Sequence, residues 1–240
     1  MWFACLPWYD LVELRSATDL LWERIATDLR RQGIDGVPQK LDRQIPYERQ
    51  WASRRLLLGQ ACGYDVLISS RRDLQVVAAP RYGVGGCDGA SSRSLVVVRD
   101  EHPAESLADL RGSRCVINTP TSHSGMNILR ALVAPLAEDG SFFSDVTVSG
   151  AHEVSVAMLQ AGDADVAAID CVTHGLLAKH RPTALTGTRV IYRTPSVPAP
   201  PFVTSAETPR SVVIALRAAL HRVLPDGDLH ILGVEDLDLS

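Results

Sequence analysis

The sequence predicts an α/β protein of two lobes, one inserted within the other, joined by a hinge of two crossing segments. Three observations predict it. Short β-type runs alternate with amphipathic helical stretches along most of the chain, the order that builds parallel sheets with helical crossovers. The alternation is punctuated twice, by the Gly-, Ser- and Cys-rich stretch 80–94 and by the stretch 193–201 with its four prolines. At 240 residues, 46% hydrophobic and 22% charged, the chain can bury one large core or two small ones. Residues 1–85 and 195–240 are therefore expected to form a first, discontinuous lobe, and residues 86–194 an inserted second one. That layout puts a cleft between the lobes, faced by the C-terminal ends of the parallel strands.

Each element has its own signal. Met1 to Leu6 begins as a strand and Pro7 stops it. Glu13 to Gln32 reads as a helix, because Leu14, Ala17, Leu21, Ile25 and Leu29 form one apolar stripe and Gly33 follows as its stop. The spacing of Trp51, Arg55 and Leu58 predicts a second helix over Tyr47 to Leu58. Asp65–Ser69, Gln75–Ala79 and Leu95–Arg99 are β-type runs. A short helix is expected over Glu105–Leu110 and a strand over Arg114–Asn118. A helix then runs from Gly125 to Ala137, with Ile128, Leu129, Leu132 and Leu136 inward. Val146–Ser149 and Asp165–Ile169 read as strands, each followed by a helix, Glu153–Gln160 and Cys171–Lys179. Arg189–Tyr192 is the next strand. Thr208 and Pro209 should open the last helix as cap and first position, with Val213, Leu216, Leu220 and Leu224 on its apolar side. A short strand is expected near Leu229–Leu232 in the acidic tail.

Composition removes several function classes. Lys plus Arg is 24 against 28 for Asp plus Glu, a net charge of -4, so there is no basic excess for a nucleic-acid partner. No apolar run approaches the ~18 residues of a membrane span, so no direct membrane insertion is expected. The five cysteines are scattered with no CxxC, and His174 and His180 lack partners at metal spacing, so neither a metal nor a cofactor is signalled. Cys62 and Cys87 fall in two turns near the expected cleft or hinge, and sequence alone leaves their pairing open. There is no Walker Gly-Lys-Ser/Thr, no GxSxG elbow and no nucleophile with its base. The chain as given has no signal peptide, which fits a cytoplasmic protein, or a periplasmic one whose leader has been removed.

The most informative segment is Asn118-Thr-Pro-Thr-Ser-His-Ser-Gly-Met-Asn127, where a strand ends, a hydroxyl-rich loop follows and a helix begins. The first N–H groups of a helix lack internal partners and sit at its positive end, so such a turn suits an anion. Ser122 and Ser124 add hydroxyl donors, and Gly125 admits a close backbone approach; the same serines would also serve as plain caps. Asp170 closes an apolar strand, either to receive a ligand amine or hydroxyl or to cap the next helix. His152, in another strand-to-helix turn, is either a cleft donor or a cap. In the first lobe Tyr9 suits a cleft wall or the core, and Gln60 either faces the cleft or lies in a connecting turn.

Ser106-Leu-Ala-Asp-Leu-Arg-Gly112, Cys115-Val-Ile-Asn118 and Pro120-Thr-Ser-His-Ser-Gly125 together resemble the phosphate/phosphonate ABC-transporter substrate-binding proteins, which have the type 2 periplasmic-binding-protein fold. Gly150-Ala-His152, Gly162-Asp-Ala-Asp-Val-Ala-Ala-Ile-Asp170, Thr194-Pro195, Leu6-Pro-Trp-Tyr-Asp10 and Gln60-Ala-Cys-Gly63 fit the same pattern, over roughly residues 2 to 224. The resemblance implies a hinged binder, without catalysis, that closes on a small-molecule anion and hands it to an ABC permease. It makes Ser122, Ser124, Gly125, Met126 and Asn127 the anion cradle, the last three through backbone N–H. By the same carry-over Asp170 reads the ligand's other end, and Tyr9 and Gln60 close over it. The same fold also carries enzymes, with His152 or Asp170 as acid or base, and ligand-sensing domains whose output is a partner protein.

Overall fold

The computed structural model describes residues 1–68 and 73–237. Its strands, in chain order, are β1 (Phe3–Ala4), β2 (Leu56–Gln60), β3 (Leu74–Tyr82), β4 (Ser91–Ser92), β5 (Ser94–Arg99), β6 (Arg114–Ile117), β7 (Asp145–Val148), β8 (Val166–Asp170), β9 (Thr188–Arg193), β10 (Val197–Pro198), β11 (Phe202–Ser205) and β12 (Ile231–Glu235). Its α-helices are α1 (Arg15–Arg31), α2 (Tyr47–Trp51), α3 (Gly63–Ile68), α4 (Ile128–Val133), α5 (His152–Ala161), α6 (Cys171–His180) and α7 (Arg210–Val223). The short strands β4 and β10 pair with each other. The chain divides into two compact units: Met1–Gly83 with Asp88–Ser91 and Pro198–Ser240, and Val84–Cys87 with Ser92–Val197.

The first unit is a five-stranded sheet in the order β1-β2-β11-β3-β12. Leu56, Leu57 and Leu58 of β2 are all wholly buried, as befits a strand covered on both faces. Helices α1 and α7 pack on each other and carry the amphipathic stripes that the sequence predicts. In α1 Leu21, Trp22, Ile25, Ala26 and Leu29 are buried; in α7 it is Val213, Leu216, Ala219 and Leu220. Between them Gln32 Nε2 donates to the Ala215 carbonyl at 3.1 Å, and the Arg222 guanidinium grips Asp28 at 2.7 Å. That grip holds the Asp28 carboxyl below the usual carboxylate range.

Three expectations fail in this unit. The helix expected over Tyr47–Leu58 ends at Trp51, and Leu56–Leu58 belongs to β2. A continuous apolar run mimics one helical face as easily as a buried strand, and here burial on both sides decides for the strand. The β-type run at Asp65–Ser69 is the helix α3 as far as Ile68, and Ser69 lies outside the described residues. Thr208 does not cap α7: Pro209 is the capping residue, and the Thr208 hydroxyl bonds that of Thr204 at 2.8 Å, which itself donates to the Leu56 carbonyl.

The second unit is a sheet in the order β7-β6-β8-β5-β9. β6 runs parallel to β7 and β8, whereas β5 is antiparallel to both β8 and β9. The first unit is likewise mixed, with β11 antiparallel to β2 and β3. Parallel pairing thus holds only where helices or helical turns connect the strands, as between β6, β7 and β8; β5, β9 and β11 flank the punctuated stretches and run the other way. Arg114 pins the start of β6 to β8, its backbone N–H and guanidinium both donating to Asp165, whose carboxyl falls to about 2. Gly162, at φ 76°, closes α5 in the left-handed conformation that glycine adopts readily. Because β6, β7 and β8 are mutually aligned, Asn118, Gly150 and Asp170 all fall at one edge of this sheet.

Candidate functional site

The helix after β6 starts earlier than the sequence predicts, with a π turn over His123–Asn127 that leads into α4. Ser122 organises it. Its Oγ accepts the Gly125 N–H at 3.0 Å, and its carbonyl accepts the Met126 and Asn127 N–H groups at 3.3 and 2.9 Å. The three backbone donors assigned to the cradle therefore have partners within the turn itself, because the wider turn directs them onto a single residue.

Side chains gather above this turn. Ser124 Oγ lies 2.9 Å from His152 Nε2 and 3.5 Å from Ser122 Oγ. Asn118 Nδ2 reaches the same imidazole nitrogen at 3.5 Å. Gly125 lies under the cluster: a Cβ there would sit 1.9 Å from Asn118 Oδ1 and 3.1 Å from His152 Cε1, so only glycine fits. Among the buried polar atoms, Asn118 Oδ1 and Asn127 Nδ2 have no hydrogen-bond partner in the protein. Burial pushes the His152 imidazole down to about 4, opposed more weakly by the nearby Ala168 backbone, so the ring is neutral at neutral pH. Hydroxyls, amides and a neutral imidazole thus form a polar nest with no cation among them, suited to an oxyanion held by hydrogen bonds.

The remaining expected residues lie as follows. Asp170 is buried at the end of β8, and its Oδ1 accepts the Val172 N–H at 2.7 Å, so it caps α6. In the first unit Tyr9 adopts φ 66° and stacks edge-on against Tyr82 at 5.1 Å. Both rings line a small pocket with Leu6, Trp8, Gln60 and Phe202. Gln60 is buried, and its Nε2 donates to the Tyr82 hydroxyl and to the Pro200 carbonyl, both at 3.0 Å. It is the last residue of β2. Sequence reasoning missed Asn118 and Tyr82 as site residues. Each stands at the end of a buried strand, just before a loop of Thr-Pro or Gly, and that position was the available signal.

Among the described residues no helix is long and apolar enough to cross a membrane, and no three His, Cys, Asp or Glu side chains group as for a metal ion. The family model for the periplasmic substrate-binding protein of phosphonate ABC transporters matches residues 3–232. No curated protein matches the sequence. Solved structures do. The binding-protein component of an ABC phosphonate transporter from Pseudomonas aeruginosa aligns at a TM-score of 0.74 and 16% identity, over 98% of this chain and 80% of its own. PhnD1 of Prochlorococcus marinus, in complex with methylphosphonate, aligns at 0.73 and 15%, over 92% and 83%. A Xanthomonas citri protein bound to ATP aligns at 0.72 and 18%, over 99% and 91%. At these identities the structural likeness speaks for the fold.

Proposed function

Because this chain belongs to the family of periplasmic substrate-binding proteins of phosphonate ABC transporters, we propose that it holds a phosphorus oxyanion at the Ser122–Asn127 turn and closes on it. The family implies a small-molecule ligand and a transporter permease as partner. The observation that carries the assignment of the site is the nest around Gly125, where Ser122, Ser124, Asn118 and His152 converge at one edge of the second unit's sheet. The oxyanion takes side-chain donors, the hydroxyls of Ser122 and Ser124 and the Asn127 amide, with the neutral His152 holding Ser124 in place. The N–H groups of Gly125, Met126 and Asn127 hold the turn in shape, and their dipoles point its positive end at the charge. Asp170 keeps α6 capped and reads the far end of the ligand, which favours a ligand with an amine or hydroxyl there. In the first unit Tyr9 is the residue we assign to the ligand, with Gln60 holding Tyr82 beside it.

Methylphosphonate and ATP, bound by two proteins of this fold, share terminal phosphorus oxyanions. A thermal-shift panel on dialysed protein should therefore hold phosphate, methylphosphonate, 2-aminoethylphosphonate, ATP, sulfate and acetate. A ligand at ~100 times its Kd stabilises the folded state by about 2.7 kcal/mol, a rise of several degrees in Tm. A phosphorus oxyanion should raise Tm in the wild type and fail to do so at the same concentration in Ser124→Ala. If none of them shifts the wild type, the proposal is wrong.

A further inference from the structure

Cys87 and Cys171, 84 residues apart, bring their sulfurs to 3.5 Å, and both are free thiols. We propose that this pair is a redox-responsive modification site, closing to an intramolecular disulfide when a low-molecular-weight disulfide is the oxidant.

The approach is built by two glycines. Gly86, at φ 105°, lies so close to α6 that a Cβ on it would stand 2.9 Å from the Cys171 Cβ. One turn further along α6, a Cβ on Gly175 would stand 2.9 Å from the Val84 Cβ. The segment Val84–Cys87 is thereby laid flat on the helix, and Arg93 Nε fastens it by donating to the Gly86 carbonyl at 3.2 Å. Side-chain rotation has to bring the sulfurs only ~1.5 Å closer to reach the S–S bond length.

The two thiols differ in the way a two-step exchange needs. Cys87 is half-exposed and reachable from solvent, whereas Cys171 is buried as the first residue of α6. The hydrogen bond between them lowers the Cys171 thiol and raises that of Cys87, and burial raises Cys87 further. In the first and slower step Cys87, the thiol that solvent reaches, gives up its proton to solvent and attacks one sulfur of the oxidant, expelling a thiolate and leaving a mixed disulfide. The Cys171 thiolate then attacks the Cys87 sulfur and expels the second thiolate. The protein gives up two protons and two electrons, and the oxidant is reduced to two thiols. The buried Cys5 and Cys115 do not compete: each is only 1% exposed, out of the oxidant's reach, and the Cys5 thiol donates to Gln50 Oε1. The family is periplasmic, and oxidising compartments are where disulfides persist.

The test is to equilibrate the full reduced chain, under native conditions, with excess oxidised glutathione, and read intact mass and a non-reduced peptide map. The expected product has lost two hydrogens and joins the Cys87 and Cys171 peptides. Cys171→Ser, shown to be folded by circular dichroism, should stop with one glutathione on Cys87. Wild-type protein in which both thiols can still be alkylated, or in which glutathione stays on Cys87, overturns the proposal.

Discussion

Gly125 makes the strongest single-residue prediction. Ala there drives a methyl group into the Asn118 amide and against His152, both of which are held by the same nest. Overpacking of this kind costs about 1–3 kcal/mol. Gly125→Ala should lower the urea midpoint and abolish the oxyanion-induced shift in Tm. Ser124→Ala should spare the fold and weaken phosphonate affinity by roughly 10- to 100-fold, the worth of one hydrogen bond to a charged group, as isothermal titration would report. The neutral His152 makes stability depend on pH. Its folded value lies near 4, below the ordinary 6.5, so the unfolded chain binds the proton more readily and stability falls as pH drops from about 6.5 to about 4. Asp65 acts in the opposite sense. Burial, with Glu48 adding to it, lifts its carboxyl to about 6, so its protonation favours the fold as pH falls through that value. The clean readout is the difference between wild type and His152→Gln: the variant should lose less Tm between pH 6.5 and 4. Equal losses would show that His152 protonation does not drive the acid loss.

At the level of elements, α7 is sorted by burial. Leu216 is wholly buried against the first unit's core, whereas Ile214, two residues before it, is 57% exposed. Leu216→Ala should cost about 2–5 kcal/mol in chemical denaturation, and Ile214→Ala should stay near neutral. Such helices were legible in the sequence because a long apolar stripe has only one cheap solution, burial of that stripe. Short apolar runs were not. Leu56–Leu58 and the stretch that becomes α3 lack a period of their own, and what lies on either side of them decides their conformation. The site was legible in the same partial way. A hydroxyl-rich turn after a strand marked Ser122 and Ser124. The π turn and the meeting of Asn118 with His152, 34 residues away, are tertiary facts that no local spacing encodes.

At the level of the molecule, family membership fixes the class of function as transporter substrate binding, and the chain's own residues define how that task is met here. A binding protein should convert no ligand, so phosphonate incubated with the protein should be recovered unchanged by phosphorus NMR. Turnover that is lost in His152→Gln would instead speak for an enzyme built on this fold. The division of the chain also sets an order in time. In the first unit's sheet β11 lies between β2 and β3, and β12 forms the edge beyond β3. During synthesis β2 and β3 leave the ribosome more than a hundred residues before the strand that must separate them, and α1 waits longer still for α7. All five strands of the second unit, by contrast, lie within the unbroken stretch Ser92–Val197. The inserted half of the protein can therefore fold while the half that begins the chain is still waiting for its end. A nascent chain arrested before residue 202 should protect the inserted half from protease and leave the amino-terminal half open to cleavage.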